Sequence, residues 1–306
     1  MEICLVDNSN IINICYAVFV KTMKDKNGQD YLIKKDDLGM FYHLYMRKIK
    51  DYLSTYEEIV FCGEGHNSTK WRKEQYPLYK ENRKDRADNP DYAFIIDCYK
   101  GVDELLKLFH CKVMRVEDCE ADDVIYKLSE YYSKKNYQIT IMSSDKDLTQ
   151  IMGFFDGVDV INPINKEHRE QNENIILEKA LVGDPSDNIK GVPKVGAKTF
   201  EKMLTDKELW NKKMTPENTK LYESILSIVD LRKYPKEFQD KIIDIFEKTK
   251  YNDFDINGVE KFFLDNGLNQ CLKNWSEWAG EISMCLNGNK QETAEDDLED
   301  LLNNGI

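Results

Sequence analysis

The chain has 306 residues, 41% of them hydrophobic, and carries 43 Lys plus Arg against 56 Asp plus Glu for a net charge of −13. That length exceeds a usual single domain, the apolar content suffices for a core, and no run of 18 apolar residues is present, which excludes a helical membrane span. The acidic balance taken alone argues against a nucleic-acid partner, but six of the acids fall in Gln291–Ile306, a stretch with no Lys or Arg.

In chain order, the apolar run Ile3–Val6 ends in Asp7 and reads as a buried strand. Helical patterns follow over about 10–23 and 35–56, then a second short strand over Glu58–Cys62. Asp91–Phe109 is an amphipathic helix with Phe94, Ile95, Cys98, Val102, Leu105, Leu106 and Phe109 on one stripe. Lys112–Val116 is a third strand, Asp122–Lys135 a helix, Gln138–Met142 a fourth strand, and Asp159–Ile161 a fifth. From about Glu178 the strand signals stop and helical patterns dominate to about Met284. Strands alternating with helices of this length predict an α/β fold: a mostly parallel central sheet with helices on both faces, followed by a helical C-terminal half.

The eight cysteines are scattered, with no C-x-x-C pair, so neither a zinc site nor a disulfide framework is expected. The start MEICLVDNSN lacks the basic and apolar regions of a signal peptide. Both observations predict a reduced, cytoplasmic setting.

The stretch Glu117–Gln150 is the most informative. Glu120, Asp122 and Asp123 stand at the mouth of one predicted helix, and Asp145 and Asp147 follow the fourth strand. Converging carboxylates raise one another's cost of ionisation, and divalent cations relieve it. Asp7 and Glu64 also follow strand ends, where open α/β sheets bind ligands, so these acids are predicted to meet at one sheet edge. A single such acid is as readily a helix cap; the set is not. A further pair, Asp184 and Asp187, lies in Gly183-Asp184-Pro185-Ser186-Asp187-Asn188, which runs on through Gly191, Lys194 and Gly196. A Gly-rich turn feeding a helix leaves backbone N–H groups for a phosphate, with Lys194, Lys198 and Lys202 on one helical face; a helix hairpin with a solvated lysine stripe is the plain alternative.

Lys70–Arg86 is locally basic, with seven cations against three acids and Trp71, Tyr76 and Tyr79 interleaved. Cations that track a backbone with rings that stack on bases suit a single-strand path; an exposed helix laced with charge pairs is the plain alternative. Gln291–Ile306 has the composition of a disordered segment, read either as a solvated tail, as a docking peptide for a replication protein, or as a mimic of DNA.

Glu120-Ala121-Asp122-Asp123, Ser144-Asp145-Lys146-Asp147-Leu148, Gly183-Asp184-Pro185-Ser186-Asp187-Asn188-Ile189 and Asp7 in Leu5-Val6-Asp7 resemble, in order, the motifs of the metal-dependent 5′-nucleases. Ile59–Arg83 is most similar to the bacteriophage RNase H-type branch. The resemblance implies a PIN-like α/β nuclease domain over 1–177 with an arch at about 66–92. It implies a helical duplex-binding domain over 178–290 with a helix-hairpin-helix-type clamp, and an acidic tail over 291–306. It implies two Mg²⁺ sites, Mn²⁺ serving as substitute: one from Asp7, Glu64, Glu120 and Asp122 with Asp123 beside them, the other from Asp145, Asp147, Asp184 and Asp187. Two such ions about 4 Å apart serve in-line phosphoryl displacement. Arg72, Tyr79, Lys80 and Arg83 are implied to contact the scissile region. Trp71 and Tyr76 join them on the strand path, and Gly191, Lys194, Gly196 and Lys198 contact the duplex, with K⁺ possible at 189–196. Two departures stand out: Glu64 where many relatives carry aspartate, and Lys194 where the hairpin usually has glycine.

The implied activity is hydrolysis of phosphodiester bonds at 5′ ends or flaps of DNA and RNA–DNA hybrids, removing primers in lagging-strand replication, in the host cytoplasm if the source is a phage. A replication protein, such as a single-strand-binding protein or clamp, would be the tail's partner. A Mg²⁺-dependent phosphatase and a structure-specific binding protein without catalysis are the rival readings.

Overall fold

The computed structural model describes residues 1–28, 31–83 and 91–287. Its centre is a five-stranded sheet in the order β3-β2-β1-β4-β5, with every adjacent pair parallel. The strands are β1 (Glu2–Asp7), β2 (Glu58–Gly63), β3 (Lys112–Arg115), β4 (Gln138–Met142) and β5 (Val158–Ile161). Cys4 and Val6 of β1 enter one core while Ile3 and Leu5 enter the other. A strand covered on both faces must be apolar at both parities, which is why β1 reads as an unbroken apolar run rather than an alternating one.

Helices α1 (Asn8–Asn27), α2 (Leu38–Leu53) and α4 (Tyr92–Leu106) lie over the first face. The second face carries α3 (Lys70–Gln75) and α5 (Ala121–Ser133). Helix α1 begins earlier and ends later than its apolar pattern. The Asp7 carboxylate caps its start by accepting from the Asn10 N–H at 3.0 Å, and Gly28, at φ 98°, turns the chain at its end. The pattern over 35–56 resolves into a 3₁₀ turn at Lys35–Asp37 followed by α2.

The helical C-terminal half comprises α6 (Ile175–Val182), α7 (Ala197–Met203), α8 (Lys207–Lys213), α9 (Pro216–Val229), α10 (Lys236–Lys248), α11 (Ile256–Asp265), α12 (Asn269–Lys273) and a helix over 275–287, α13. Most of these helices share the cores of the sheet domain, α7 and α8 excepted. Val259, Phe263, Cys271, Trp275 and Ile282 complete the core over α1, α2 and α4, whereas Ile225, Ile228, Ile242 and Phe246 complete the core over α5. The last strand ends at Ile161, position 177–178 falls within α6, and the packing continues across it. Leu181, Val192, Val195, Phe200 and Met203 form a small core of their own around the turn between α6 and α7. Among the described residues no helix is long and apolar enough to cross a membrane.

Candidate active site

The parallel register levels the strand ends: Asp7 of β1 pairs with Cys62 of β2, and Val6 with Met142 of β4. Asp7, Glu64 and Asp145 consequently leave the sheet at one edge. Ser143 ties two of them together, its hydroxyl donating to the Asp7 carboxylate at 2.8 Å and accepting from the Asp145 N–H at 3.0 Å. Burial, with Asp145 adding repulsion, pushes Asp7 up to about 6. Burial and the neighbouring Glu120 push Glu64 up to about 7, and burial with Asp145 and Asp7 holds Asp122 well above the carboxylate range. These acids thus feel one another as a group.

On the other side of Asp145, oxygens of Asp147, Asp184 and Asp187 lie within 4.8 Å of one another. Asp145 belongs to both neighbourhoods, since it also raises Asp147, which burial pushes to about 6. Repulsion thus links Asp7, Glu64, Glu120, Asp122 and Asp145 to one another and, through Asp145, to Asp147, which lies beside Asp184 and Asp187.

Asp123 does not join them. It is fully buried, and its oxygens accept from both guanidinium nitrogens of Arg72 at 2.8 and 2.6 Å and from the Glu120 N–H at 2.9 Å. It holds the Glu120 backbone in place and, through Arg72, locks the first turn of α5.

The basic segment also turns inward. Arg72 is 3% exposed; besides Asp123 it meets Glu120 at 2.8 Å and donates to the Ile228 carbonyl at 3.1 Å. Trp71, Tyr76 and Tyr79 are buried in the core against α5 and α9. Their expected role as platforms for bases is corrected, and with it Arg72 as a substrate contact. A ring inside a core removes apolar area from water, and the Arg72 guanidinium, buried, directs four of its five N–H groups to Asp123, Glu120 and the Ile228 carbonyl. The Tyr79 hydroxyl donates to Glu120 at 2.8 Å. Lys80, at φ 51°, binds Glu120 and stands 3.9 Å from Asp187, and Arg83 reaches Asp187 at 3.0 Å. Burial opposes ionisation of Glu120, but Lys80 and Arg72 together hold its carboxyl down at about 2. Ser9, Glu64, Ser68, Lys80, Arg83 and Glu120 help to line a cavity of about 300 Å³ beside these groups. Lys84, Arg86 and Pro90 of the predicted arch lie outside the described residues, as does 291–306.

This segment is stitched to the turn that carries Asp184 and Asp187. The Lys80 N–H donates to the Asp187 carbonyl at 2.9 Å, the Asn188 side chain to the Leu78 carbonyl at 2.7 Å, and the Lys190 N–H to the Tyr76 hydroxyl at 3.3 Å. The turn itself needs glycine. A Cβ on Gly191, at φ 66°, would stand 2.4 Å from the Val182 carbonyl carbon, and one on Gly183, at φ 96°, 2.5 Å from the Ile189 oxygen. Lys194 does adopt the left-handed region at φ 61°, the conformation glycine takes without steric cost. Its carbonyl accepts from the Lys213 ammonium at 2.8 Å. Lys194, Gly196, Lys198 and Lys202 are exposed.

Residues 2–181 match the family model described as 5′-3′ exonuclease, N-terminal resolvase-like domain. The chain belongs to this 5′-3′ exonuclease family. Ribonuclease H of Enterobacteria phage T4 is 25% identical over 303 residues, covering 88% of this chain and 95% of the relative. The 5′-3′ exonuclease of Buchnera aphidicola is 36% identical over 138 residues, which cover 40% of this chain and 45% of that protein. DNA polymerase I of Borreliella burgdorferi is 29% identical over 282 residues, 81% of this chain and 30% of the polymerase. Among solved structures, bacteriophage T5 5′-exonuclease with bound zinc superposes with a TM-score of 0.57 at 19% identity, over 81% of this chain and 99% of that one. The T5 flap endonuclease in complex with DNA and metal ions gives 0.55 at 18% identity, over 81% and 98%. Both confirm the fold expected of a member of this family.

One residue of the 5′-3′ exonuclease site escaped the sequence reading. Lys179 of α6 inserts its ammonium among Asp147, Asp184 at 2.7 Å and Asp187 at 3.6 Å, with its side chain 13% exposed. A signal was there: a single cation inside IILEKALV, an otherwise apolar run with one further charge, ending just before Gly183-Asp184.

Proposed function

We propose that the chain is a structure-specific 5′-nuclease that uses two divalent cations to hydrolyse phosphodiester bonds at the 5′ ends or flaps of DNA and RNA–DNA hybrids. The observation that carries this reading is the convergence of Asp7, Glu64, Glu120, Asp122, Asp145, Asp147, Asp184 and Asp187 at the C-terminal edge of the sheet, beside Lys80 and Arg83. The donor set fits Mg²⁺ or Mn²⁺: it is all carboxylate oxygen, and three of its acids are pushed into the neutral range by burial and by one another.

Asp7, Glu64, Glu120 and Asp122 would hold one ion, and Asp145, Asp147, Asp184 and Asp187 the other. Such ions, when bound, supply activation of water and neutralisation of the leaving oxygen. Lys80 and Arg83, which pair with Glu120 and Asp187 in the free chain, are placed to transfer those contacts to the scissile phosphate. Arg72 acts as a positioning residue that fixes Glu120 and Asp123. The exposed Lys194, Lys198 and Lys202 supply phosphate contacts along a duplex, in the manner of a helix-hairpin-helix clamp. The 189–196 turn is also where a K⁺ ion would sit.

Similarity to the T4 enzyme, named a ribonuclease H, over nearly the whole chain supports RNA–DNA hybrids as substrates and primer removal as the role. Free cysteines throughout the described residues fit work in a reducing cytoplasm. The segment 291–306 would engage a replication protein; its deletion should weaken that partner's binding and leave cleavage of naked substrate intact.

The deciding experiment is a 5′-labelled flap and a 5′-labelled RNA–DNA hybrid with Mg²⁺, comparing the natural chain with Asp145→Asn. Mg²⁺-dependent release of short 5′ products by the natural chain alone supports the reading. Binding without cleavage by the natural chain would sink it in favour of a non-catalytic binding protein.

A further inference from the structure

The Asp147, Asp184 and Asp187 group holds a cation at its centre, whereas Lys80 in the neighbouring group makes its close pair with Glu120 alone. The Lys179 ammonium binds Asp147, lies 2.7 Å from Asp184 and 3.6 Å from Asp187, and so occupies the space on which the three carboxylates converge. The backbone delivers it there firmly. Ala180 and Leu181, the next two residues of α6, are fully buried in two different cores, which fixes the rotation of the helix. The side chain itself is not fixed in the same way. It retains a solvent-facing portion, and an ammonium on a four-carbon stem can swing out where a guanidinium fork held bidentately cannot.

We propose that Lys179 is a resident cation of the second ion position, and that a divalent ion enters between Asp147, Asp184 and Asp187 only by displacing it. This deepens the two-cation reading above and rests on it. Two consequences follow from charge alone. In the ion-free chain the lysine neutralises a group of acids that would otherwise repel, so the site keeps its shape before any ion arrives. The ammonium also has to leave its three acids, so the second ion binds more weakly than the same carboxylates would allow without Lys179. Lys179 is in this sense a specificity-determining residue for ion occupancy and requires no contact with substrate.

Two measurements test this. Mn²⁺ titration of the metal-free chain, followed by electron paramagnetic resonance, should give two bound ions. In Lys179→Gln, the second ion should bind at least tenfold more tightly. Reductive methylation of the natural chain, read by mass spectrometry, should label Lys179 several-fold faster in saturating Mg²⁺ than without it, because the displaced ammonium faces solvent. This second readout decides the matter if Lys179→Gln does not fold. An unchanged or weakened second ion in the variant, or a labelling rate at Lys179 that Mg²⁺ leaves unaltered, overturns the proposal while the two-ion nuclease stands. If the natural chain binds no Mn²⁺ at all, the nuclease reading falls and this proposal with it.

Discussion

Two segments of this chain look alike in sequence and behave oppositely in the fold. Lys70–Arg83 and Lys194–Lys202 both bring closely spaced cations next to an acidic motif. In the first, the cations nearest the acids turn inward, with Arg72 closed on Asp123 and Glu120, Lys80 on Glu120, and Arg83 on Asp187. In the second, Lys194, Lys198 and Lys202 stand in solvent. The difference lies in what each segment faces. A lysine or arginine beside buried, mutually repelling carboxylates gains a charge-assisted bond at every acid it reaches. One on a helix facing away from them gains nothing by folding inward. Local net charge therefore identifies a polyanion contact only after the chain's own acids have taken their share.

The largest expected effect tests the acidic group beside which the first segment folds. Asp145→Asn should lower flap cleavage by on the order of 10³-fold while leaving substrate binding within a few-fold, read by single-turnover cleavage and by filter binding. Retained cleavage would remove Asp145 from the site. Next, Arg72→Ala should destabilise the fold by about 3–5 kcal/mol, because it strips a buried ion pair of one partner. Lys198→Ala should leave the melting point unchanged and reduce the salt dependence of duplex binding by about one unit of slope. Equal stability losses for the two variants would break the comparison.

The third effect concerns pH. Asp7 and Asp147 are raised to about 6 and Glu64 to about 7, all foremost by burial. A raised folded-state value means that these groups stabilise the ion-free fold while protonated, and the contribution is lost as pH rises through 6–7. The ion-free chain should therefore melt lower at pH 8 than at pH 5.5, and saturating Mg²⁺ should reverse that order. Ion affinity runs the other way and should fall about tenfold or more per unit from pH 7 to pH 5, as calorimetric titration would reveal, because bound protons must leave first. The smallest effect belongs to the outward segment. Lys194→Gly should relieve the positive φ and shift the melting point upward by no more than about 2 °C; a loss would show that the lysine side chain itself holds the turn.

Much of the fold was legible because its signals are local. β4 runs over the predicted Gln138–Met142, and the acids at strand ends met because a parallel sheet brings such positions to one edge. The inward rotation of Trp71, Tyr76 and Tyr79 was not legible. Interleaved rings and cations look the same whether they face bases or a core, and the core in question includes Ile225 and Ile228, some 150 residues further on. Lys179 was hidden for a related reason. Asp147 lies 32 residues before it, and only the fold shows that all three carboxylates surround one ammonium. Helix limits departed from the apolar pattern where caps decided them, as Asp7 and Gly28 do for α1.

The stitches between 76–82 and the 184–190 turn carry a last implication. Lys80, Asn188, Lys190 and Asn82 each bridge the two segments, the last through its bond to the Pro185 carbonyl at 3.2 Å. Displacing the Lys80 segment therefore displaces Asp187 with it. The two segments form one piece, so any group that pushes on the first alters the spacing of the acids carried by the second. Under the proposed function, a badly seated strand would be refused by shape alone, with no base read.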